Sequence, residues 1–413
     1  MPTVVDHRTL YRLPWSMPDN AIAWLEPTRK CNLACDGCYH ANVDEHKSLA
    51  EIAADLDVFE AARTTDGVSI AGGDPLTHPQ IVDVVRLIAR RGWKPILNTN
   101  GLALGPELLR DLRRAGLAGL TFHVDSRQGR PGWKGKSEQE LNALRLELAE
   151  LVARVGGIGC AFNATVYESN LDAVPDLVAW AGEHMDIVHV MVFILYRAAV
   201  LEGEYDYYLR GQPIDMRPLA YAYPSQPERT DLTTPEVVAR IRERVPDFAP
   251  CAYLNGTARP DSLKWLLSMR FGRNGRTHGW VGPKTVELIQ TAHHLWTGRY
   301  LAYARPAVTG SARSLLLLAP LDRRLRPAFA RAFFDARQSF RRMHMQSIMI
   351  IQPVDFMPDG QQNMCDGCPD MTVWDGRLAW SCRLEECLHF GQFVDTVPRT
   401  RPAAPGAPGS AAV

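Results

Sequence analysis

Cys31-Asn32-Leu33-Ala34-Cys35-Asp36-Gly37-Cys38-Tyr39 is the stretch that decides the fold of this chain. It follows an apolar run of strand length, Ala21 to Pro27. Three cysteines in C-x3-C-x2-C spacing can wrap one corner of a cubane cluster. An ordinary 4Fe-4S site takes four cysteines, so a set of three leaves one iron without a protein ligand. An open coordination position on a metal is where small molecules bind and react.

The residues on either side of that loop set its frame. From residue 21 to about 197, short apolar strands alternate with amphipathic helices. Strands are expected over 21–27, 67–72, 94–99, 119–125, 158–166 and 187–196, and helices over 48–64, 79–91, 105–115, 137–154 and 170–184. Ser48 with Glu51 and Ser137 with Glu140 form capping boxes, and Thr77 precedes Pro79 at a plausible first turn. Six such units with short links imply a parallel sheet with helices on its outer face, either open or curled into a partial barrel.

The cysteine spacing, its flanking Asn32 and Tyr39, and its place after the first strand resemble the radical S-adenosylmethionine (SAM) superfamily. The resemblance covers about 21–197 and selects an α/β fold, the partial (β/α)6 TIM-like barrel. It implies a SAM-binding 4Fe-4S cluster on Cys31, Cys35 and Cys38, with SAM held by the open iron and cleaved by one electron. It also implies a flavodoxin, ferredoxin or similar reductase as electron donor. The site is then expected at the C-terminal strand ends, where polar residues do gather. Gly72-Gly73-Asp74 resembles the family's G-G-E, with Asp in place of Glu. Asn98 and Asn100 end the third strand. His123 and Asp125 share one face of the fourth with Thr121, followed by Ser126, and Asn163 and Thr165 share one face of the fifth. With Tyr39, these are the expected SAM contacts. Each has a plainer alternative: Gly-Gly-Asp-Pro and Asn-Thr-Asn-Gly are turn signals, and His123 with Asp125 can be a structural pair. The basic loop from Ser126 to Lys134 is expected as a solvated surface loop, the alternative being a grip on a substrate phosphate or carboxylate.

A second set, Cys365-x2-Cys368-x13-Cys382-x4-Cys387, puts four cysteines in 23 residues and reads as a metal site. Between its pairs, 371–374 and 377–380 read as a hairpin around Asp375-Gly376. The arrangement resembles the Twitch form of the SPASM auxiliary domain, which implies a second 4Fe-4S cluster; a structural zinc is the alternative. Cys160 is expected to be a buried apolar residue, and so is Cys251, with a substrate contact or a radical-quenching thiol as its alternatives.

The region 198–350 resembles nothing specific. A helix from Thr234-Pro235 to Val245 is expected, with others near 260–271, 282–297 and 326–340, then an apolar strand over 347–352. That gives a mainly helical cap over the barrel mouth, its core including Trp265, Leu266, Met269 and Phe271. The expected division is therefore an N-terminal extension at 1–20, the barrel at 21–197, the cap at 198–350, the auxiliary domain at 351–396 and a disordered tail at 397–413.

Bulk properties narrow the function. Lys plus Arg and Asp plus Glu are 46 each, so no basic charge favours nucleic acid. No apolar run approaches the roughly 18 residues that span a bilayer, and 1–10 lacks a signal-peptide core. A reducing, cytoplasmic location is expected. The resulting expectation is a radical SAM enzyme that abstracts hydrogen from an unactivated carbon. Some 20 residues precede the first strand, where peptide maturases of this superfamily often carry a recognition domain. The expectation tilts to a small-molecule or lipid-like substrate, with a peptide or protein maturase as the alternative. A non-catalytic iron–sulfur or zinc scaffold or sensor is the alternative of another class.

Overall fold

The computed structural model describes residues 5–198, 200–201, 204–219, 228–310, 314, 317–327, 329–330 and 342–399. The strand–helix alternation forms as the periodicity predicts. In chain order it runs β1 (Ile22–Leu25), α1 (Leu49–Ala62), β2 (Gly67–Ile70), α2 (Ile81–Arg90), β3 (Lys94–Thr99) and α3 (Pro106–Ala115). It continues through β4 (Gly119–His123), α4 (Asn142–Val155), β5 (Gly159–Val166), α5 (Val174–Glu183) and β6 (Val190–Leu195). Neighbouring strands from β1 to β6 pair in parallel, in sequence order. The Ser48–Glu51 capping box closes the start of α1. Ser137 and Glu140 make the same reciprocal bonds, although the regular part of α4 starts at Asn142.

Alternation along the strands divides core from site. Leu120, Phe122 and Phe162 point into one apolar cluster with Leu56 and Phe59 of α1 and Val84 and Ile88 of α2. Their neighbours Thr121, His123, Asn163 and Thr165 line a cavity on the other face. The expected partial barrel is the architecture observed.

Among its described residues, the region 198–350 is not the mainly helical cap expected but a mixture of strands and helices. That region supplies β7 (Tyr205–Leu209), α6 (Thr234–Arg244), β8 (Pro250–Leu254), β9 (Trp265–Arg273), β10 (Arg276–Trp280), α7 (Pro283–Thr297) and β11 (His344–Ile351). β11 pairs in parallel with β6; β9 runs antiparallel between β11 and β8, and β10 pairs with β9. Among the described residues the sheet thus has eleven strands, with Tyr11–Arg12 of the N-terminal extension beside β8. The helix expected near 260–271 is a strand because its residues are buried on both faces. A run that apolar carries no alternation, and a short one fits either period. The expected helices at 234–245 and 282–297 are α6 and α7, and the strand expected over 347–352 is the end of the longer β11. The helix expected over 326–340 lies largely outside the described residues.

The C-terminal hairpin forms as β12 (Met371–Trp374) and β13 (Arg377–Trp380), followed by α8 (Leu384–Phe390) and β14 (Asp395–Pro398). β14 pairs with β7, so Val397 and Pro398 belong to a strand and not to the expected tail; residues 400–413 lie outside those described. No helix among the described residues is long and apolar enough to cross a membrane.

Candidate active site

The loop after β1 is built around backbone contacts that only glycine permits. Gly73 N–H donates to the Thr28 carbonyl at 2.9 Å and Asp74 N–H to the Lys30 carbonyl at 2.8 Å. A Cβ on Gly72 would lie 2.3 Å from the Thr28 oxygen, and one on Gly73 2.2 Å from the Lys30 oxygen. The two glycines therefore admit the cysteine loop itself against the end of β2. Asp74 is buried, and its carboxylate accepts from Leu76 N–H, Thr99 Oγ1 and Asn100 N–H at 2.7–2.9 Å. Burial pushes its pKa up while these donors oppose the rise. The shorter Asp thus stitches the end of β2 to that of β3, a role distinct from a ligand contact.

Three further clamps fix the thiol-bearing segment. Asn42 brackets Cys31, accepting from its N–H at 2.9 Å and donating to its carbonyl at 3.1 Å. Asn100 donates to Asn32 Oδ1 at 2.6 Å and reaches Cys31 Sγ at 3.9 Å. Tyr167 donates to the Asp36 carbonyl at 2.7 Å, and Asp36 N–H donates to the Arg127 carbonyl at 3.1 Å. The Arg127 guanidinium also stacks 4.7 Å over the Tyr167 ring. Gly37, at φ 69°, leaves room for Tyr167 and Tyr196, which a Cβ would approach to 2.8 and 2.9 Å. The basic loop is accordingly not a solvated one at Arg127 and Arg130, whose side chains pack against the cysteine loop and the end of β4.

These clamps turn Cys31, Cys35 and Cys38 toward a cavity of about 270 Å³ at the C-terminal strand ends. Tyr39, Gly72, Gly73, Asp74, Asn98, Asn100, His123, Asp125, Asn163 and Thr165 line the same space. Ser126 does not: its amide donates to Glu138 at 2.8 Å, so that member of the expected SAM contacts is misplaced. His123 Nε2 lies 2.8 Å from Asp125 Oδ2 and 3.1 Å from Thr165 Oγ1. Burial raises the Asp125 pKa, but His123 and the Arg127 and Thr165 amides outweigh it and hold the carboxylate below its usual range. Asn163 Oδ1 is buried with no hydrogen-bond partner.

The second cysteine set meets the first across this cavity. Cys365, Cys368 and Cys382 line it with Asp370; Cys387, on α8, is buried but does not. Arg63, at the end of α1, binds this segment to the barrel. It donates to the carbonyls of Met17, Ile22, Cys368 and Pro369 at 2.8–3.3 Å. Trp24, Ile194, Trp265, Ile351, Val354 and Met364 make the apolar wall. One of these, Trp265 on β9, comes from the region expected to be a helical cap.

The nine cysteines are all free thiols. Burial pushes the Cys31 and Cys35 thiols up, and Cys382 up to about 12. Uncharged thiols are what a low-dielectric site favours until a cationic metal is present to draw off the protons. Among the described residues no three His, Cys, Asp or Glu side chains surround one point closely enough to hold a single metal ion. A four-iron cube takes its thiolates at separate corners, so its fit rests on which thiols face one cavity. Three from each set do, and Asn163 Oδ1 offers an unclaimed acceptor to a ligand beside the first set. The residues fit a cluster and a bound polar ligand.

Barrel, strand-end cavity and three-cysteine loop together define an iron–sulfur, SAM-dependent class of protein. Residues 25–181 match the Radical SAM superfamily. It is 28% identical over 187 residues to the AdoMet-dependent heme synthase of Methanosarcina barkeri, covering 42% of this chain and 50% of that one. To the PqqA peptide cyclase of Gluconobacter oxydans it is 28% identical over 187 residues, covering 41% and 49%. SuiB of Streptococcus suis, solved with S-adenosylmethionine, aligns over 55% of this chain and 48% of its own at 16% identity and a TM-score of 0.39. The chain spans about half the length of the curated relatives it matches.

Sequence reasoning missed Asn42, Arg63, Arg127, Arg130, Tyr167 and Asp370. The Asp125-x-Arg127 spacing was the nearest available signal for the loop clamp; Arg63 and Tyr167 act through partners far away in the chain.

Proposed function

We propose that this chain is a radical SAM enzyme with two iron–sulfur centres, acting on a peptide. Cys31, Cys35 and Cys38 would hold the cluster, which when bound would supply the electron for reductive cleavage of SAM and so for hydrogen abstraction from an unactivated carbon. Asn42 and Asn100 hold the cysteine loop, and Asn163, Thr165 and His123 offer polar contacts to SAM. The wall of Trp24, Trp265, Ile351 and Met364 excludes water from the reacting carbon. Cys365, Cys368, Cys382 and Cys387 would hold the second centre. The electron donor is expected to be of the flavodoxin or ferredoxin kind.

The observation that carries the site is the facing of both cysteine sets onto one cavity. A closed pocket would favour a small molecule and an open groove a peptide. A cleft of about 1010 Å³, lined by Arg8, Glu204, Tyr205, Asp231 and Arg259, adjoins the cavity, and Arg197 lines both. That cleft, with the peptide named for one of the curated relatives, supports the peptide alternative over the small-molecule or lipid-like substrate first expected.

The test is anaerobic reconstitution followed by assay of 5'-deoxyadenosine from SAM and a strong reductant. About eight irons per chain are expected, falling to about four in the Cys31/Cys35/Cys38→Ala variant with loss of the product. A fully loaded protein that never cleaves SAM would instead be the scaffold or sensor.

A further inference from the structure

Glu385 stands in the first turn of α8, three residues after Cys382 and two before Cys387. The partners of its carboxylate lie on the other cysteine loop. Oε1 accepts from the Ala41 amide at 3.1 Å and lies 3.5 Å from His40 Nδ1; Oε2 accepts from Arg29 Nη2 at 2.8 Å. Ala41 follows Cys38 by three residues, and Arg29 precedes Cys31 by two. One carboxylate from the C-terminal site thus grips the SAM-site loop on both sides of its three thiols.

The contact continues inward. His40 Nε2 lies 3.5 Å from Glu26 Oε1, just past the end of β1. The same oxygen accepts from Trp24 Nε1 at 3.0 Å, and Trp24 lines the cavity. The Glu26, His40 and Glu385 side chains are only 4–6% exposed. A buried run of charged groups is a poor source of stability, because desolvation offsets most of the Coulombic gain. Its strength is geometry. His40 lies between two buried carboxylates at ion-pair distance, its Nε2 making no hydrogen bond, and a displacement of the loop or of α8 separates these buried groups.

We propose that Glu385 is a positioning residue of the SAM-binding loop. Through His40, Ala41 and Arg29 it fixes that loop against the C-terminal cysteine site, so the two centres are set as one unit. The inference rests on the two-centre function proposed above. Loss of Glu385 then acts at a distance: α8 carries the change, and the loop of Cys31, Cys35 and Cys38 shows it.

The reconstituted full-length protein tests this with two readouts, backbone hydrogen exchange and the EPR signal of the reduced protein with and without SAM. In Glu385→Ala, exchange at 39–42 is expected to rise about tenfold, the loss of one charge-assisted bond. The signal that responds to SAM should change shape. Glu385→Gln keeps an acceptor for the Ala41 amide and should return most of the protection at that amide. Phe162→Leu, which weakens the barrel core, should move neither readout, separating positioning from general destabilisation. Arg29→Gln leaves Glu385 and His40 in place and approaches the loop from its more exposed side. If Glu385→Ala fails to fold, Arg29→Gln is expected to shift exchange in the same direction by less. Unchanged exchange at 39–42 in the folded variants overturns the proposal. The exchange arm decides without SAM; a wild type with no SAM-responsive signal counts against the enzyme function instead.

Discussion

The two cysteine sites are held in opposite ways. Cys31, Cys35 and Cys38 lie within eight residues on a loop with no regular structure of its own, and they are half-buried. That loop borrows its shape from Asn42, Asn100, Tyr167, Arg127 and Glu385, and from two carbonyls that fit only against glycine. Cys365, Cys368, Cys382 and Cys387 are spread over 23 residues around a hairpin and a short helix that supply most of the frame. Three are buried, and the first pair is tied to the rest of the chain by Arg63 at the Cys368 carbonyl, Asn20 at the Gly367 carbonyl and Arg12 at Asp366. An arrangement with one ligand short and outside groups holding it suits a site that must admit a substrate. A self-framed, four-thiol arrangement suits one that need not.

The contrast can be broken from either side. Arg63→Met strips donors from four carbonyls and should cost about 3–5 kcal/mol, as for a buried charged group whose partners are left unpaired. Denaturant unfolding should show that loss, and iron should fall at the C-terminal site before the SAM site. Gly73→Ala should have the reverse selectivity. Its Cβ meets a backbone oxygen at 2.2 Å, which cannot yield without moving the cysteine loop. A cost of about 3 kcal/mol is expected, with retained C-terminal iron and no SAM-responsive EPR signal.

A smaller effect should spare both centres. His189 accepts from the Cys160 amide at 3.0 Å, and burial lowers its pKa to about 4. Its unfolded pKa is higher, so below about pH 6.5 the unfolded chain binds the extra proton, and stability falls until about pH 4. At most about 3 kcal/mol should be lost across that window, and His189→Asn should flatten the urea midpoint against pH with both iron sites intact.

Asn42→Ala removes the two bonds that bracket Cys31 and should cost about 1 kcal/mol, read as slower reconstitution of the SAM-site cluster alone. Asn163→Leu sharpens the comparison further. Its Oδ1 has no partner to lose, so thermal stability should hold or rise slightly, while SAM affinity by EPR titration falls about tenfold.

The barrel was legible from its strand–helix repeat, and in β4 and β5 one face is buried while Thr121, His123, Asn163 and Thr165 turn to the cavity in plain alternation. The same rule fails at Trp265 to Phe271, buried on both faces, where no alternation exists to be read. The thiols were legible as spacing. Their supports were not: Asn100, Arg127, Tyr167 and Glu385 reach the loop from 68 or more residues away. Gly72 and Gly73 were expected as SAM contacts, and what approaches them in the structure is the chain itself, through the Thr28 and Lys30 carbonyls. Ser126 follows the strand-end pattern by sequence and is turned aside by Glu138.

The central claim is one centre open to SAM and one closed. It is tested most directly by EPR of two reduced variants, Cys31/Cys35/Cys38→Ala and Cys365/Cys368/Cys382/Cys387→Ala, each with and without SAM. The account predicts a signal in both, changed by SAM only where Cys31, Cys35 and Cys38 remain. A signal that responds to SAM in the variant lacking those three would contradict it.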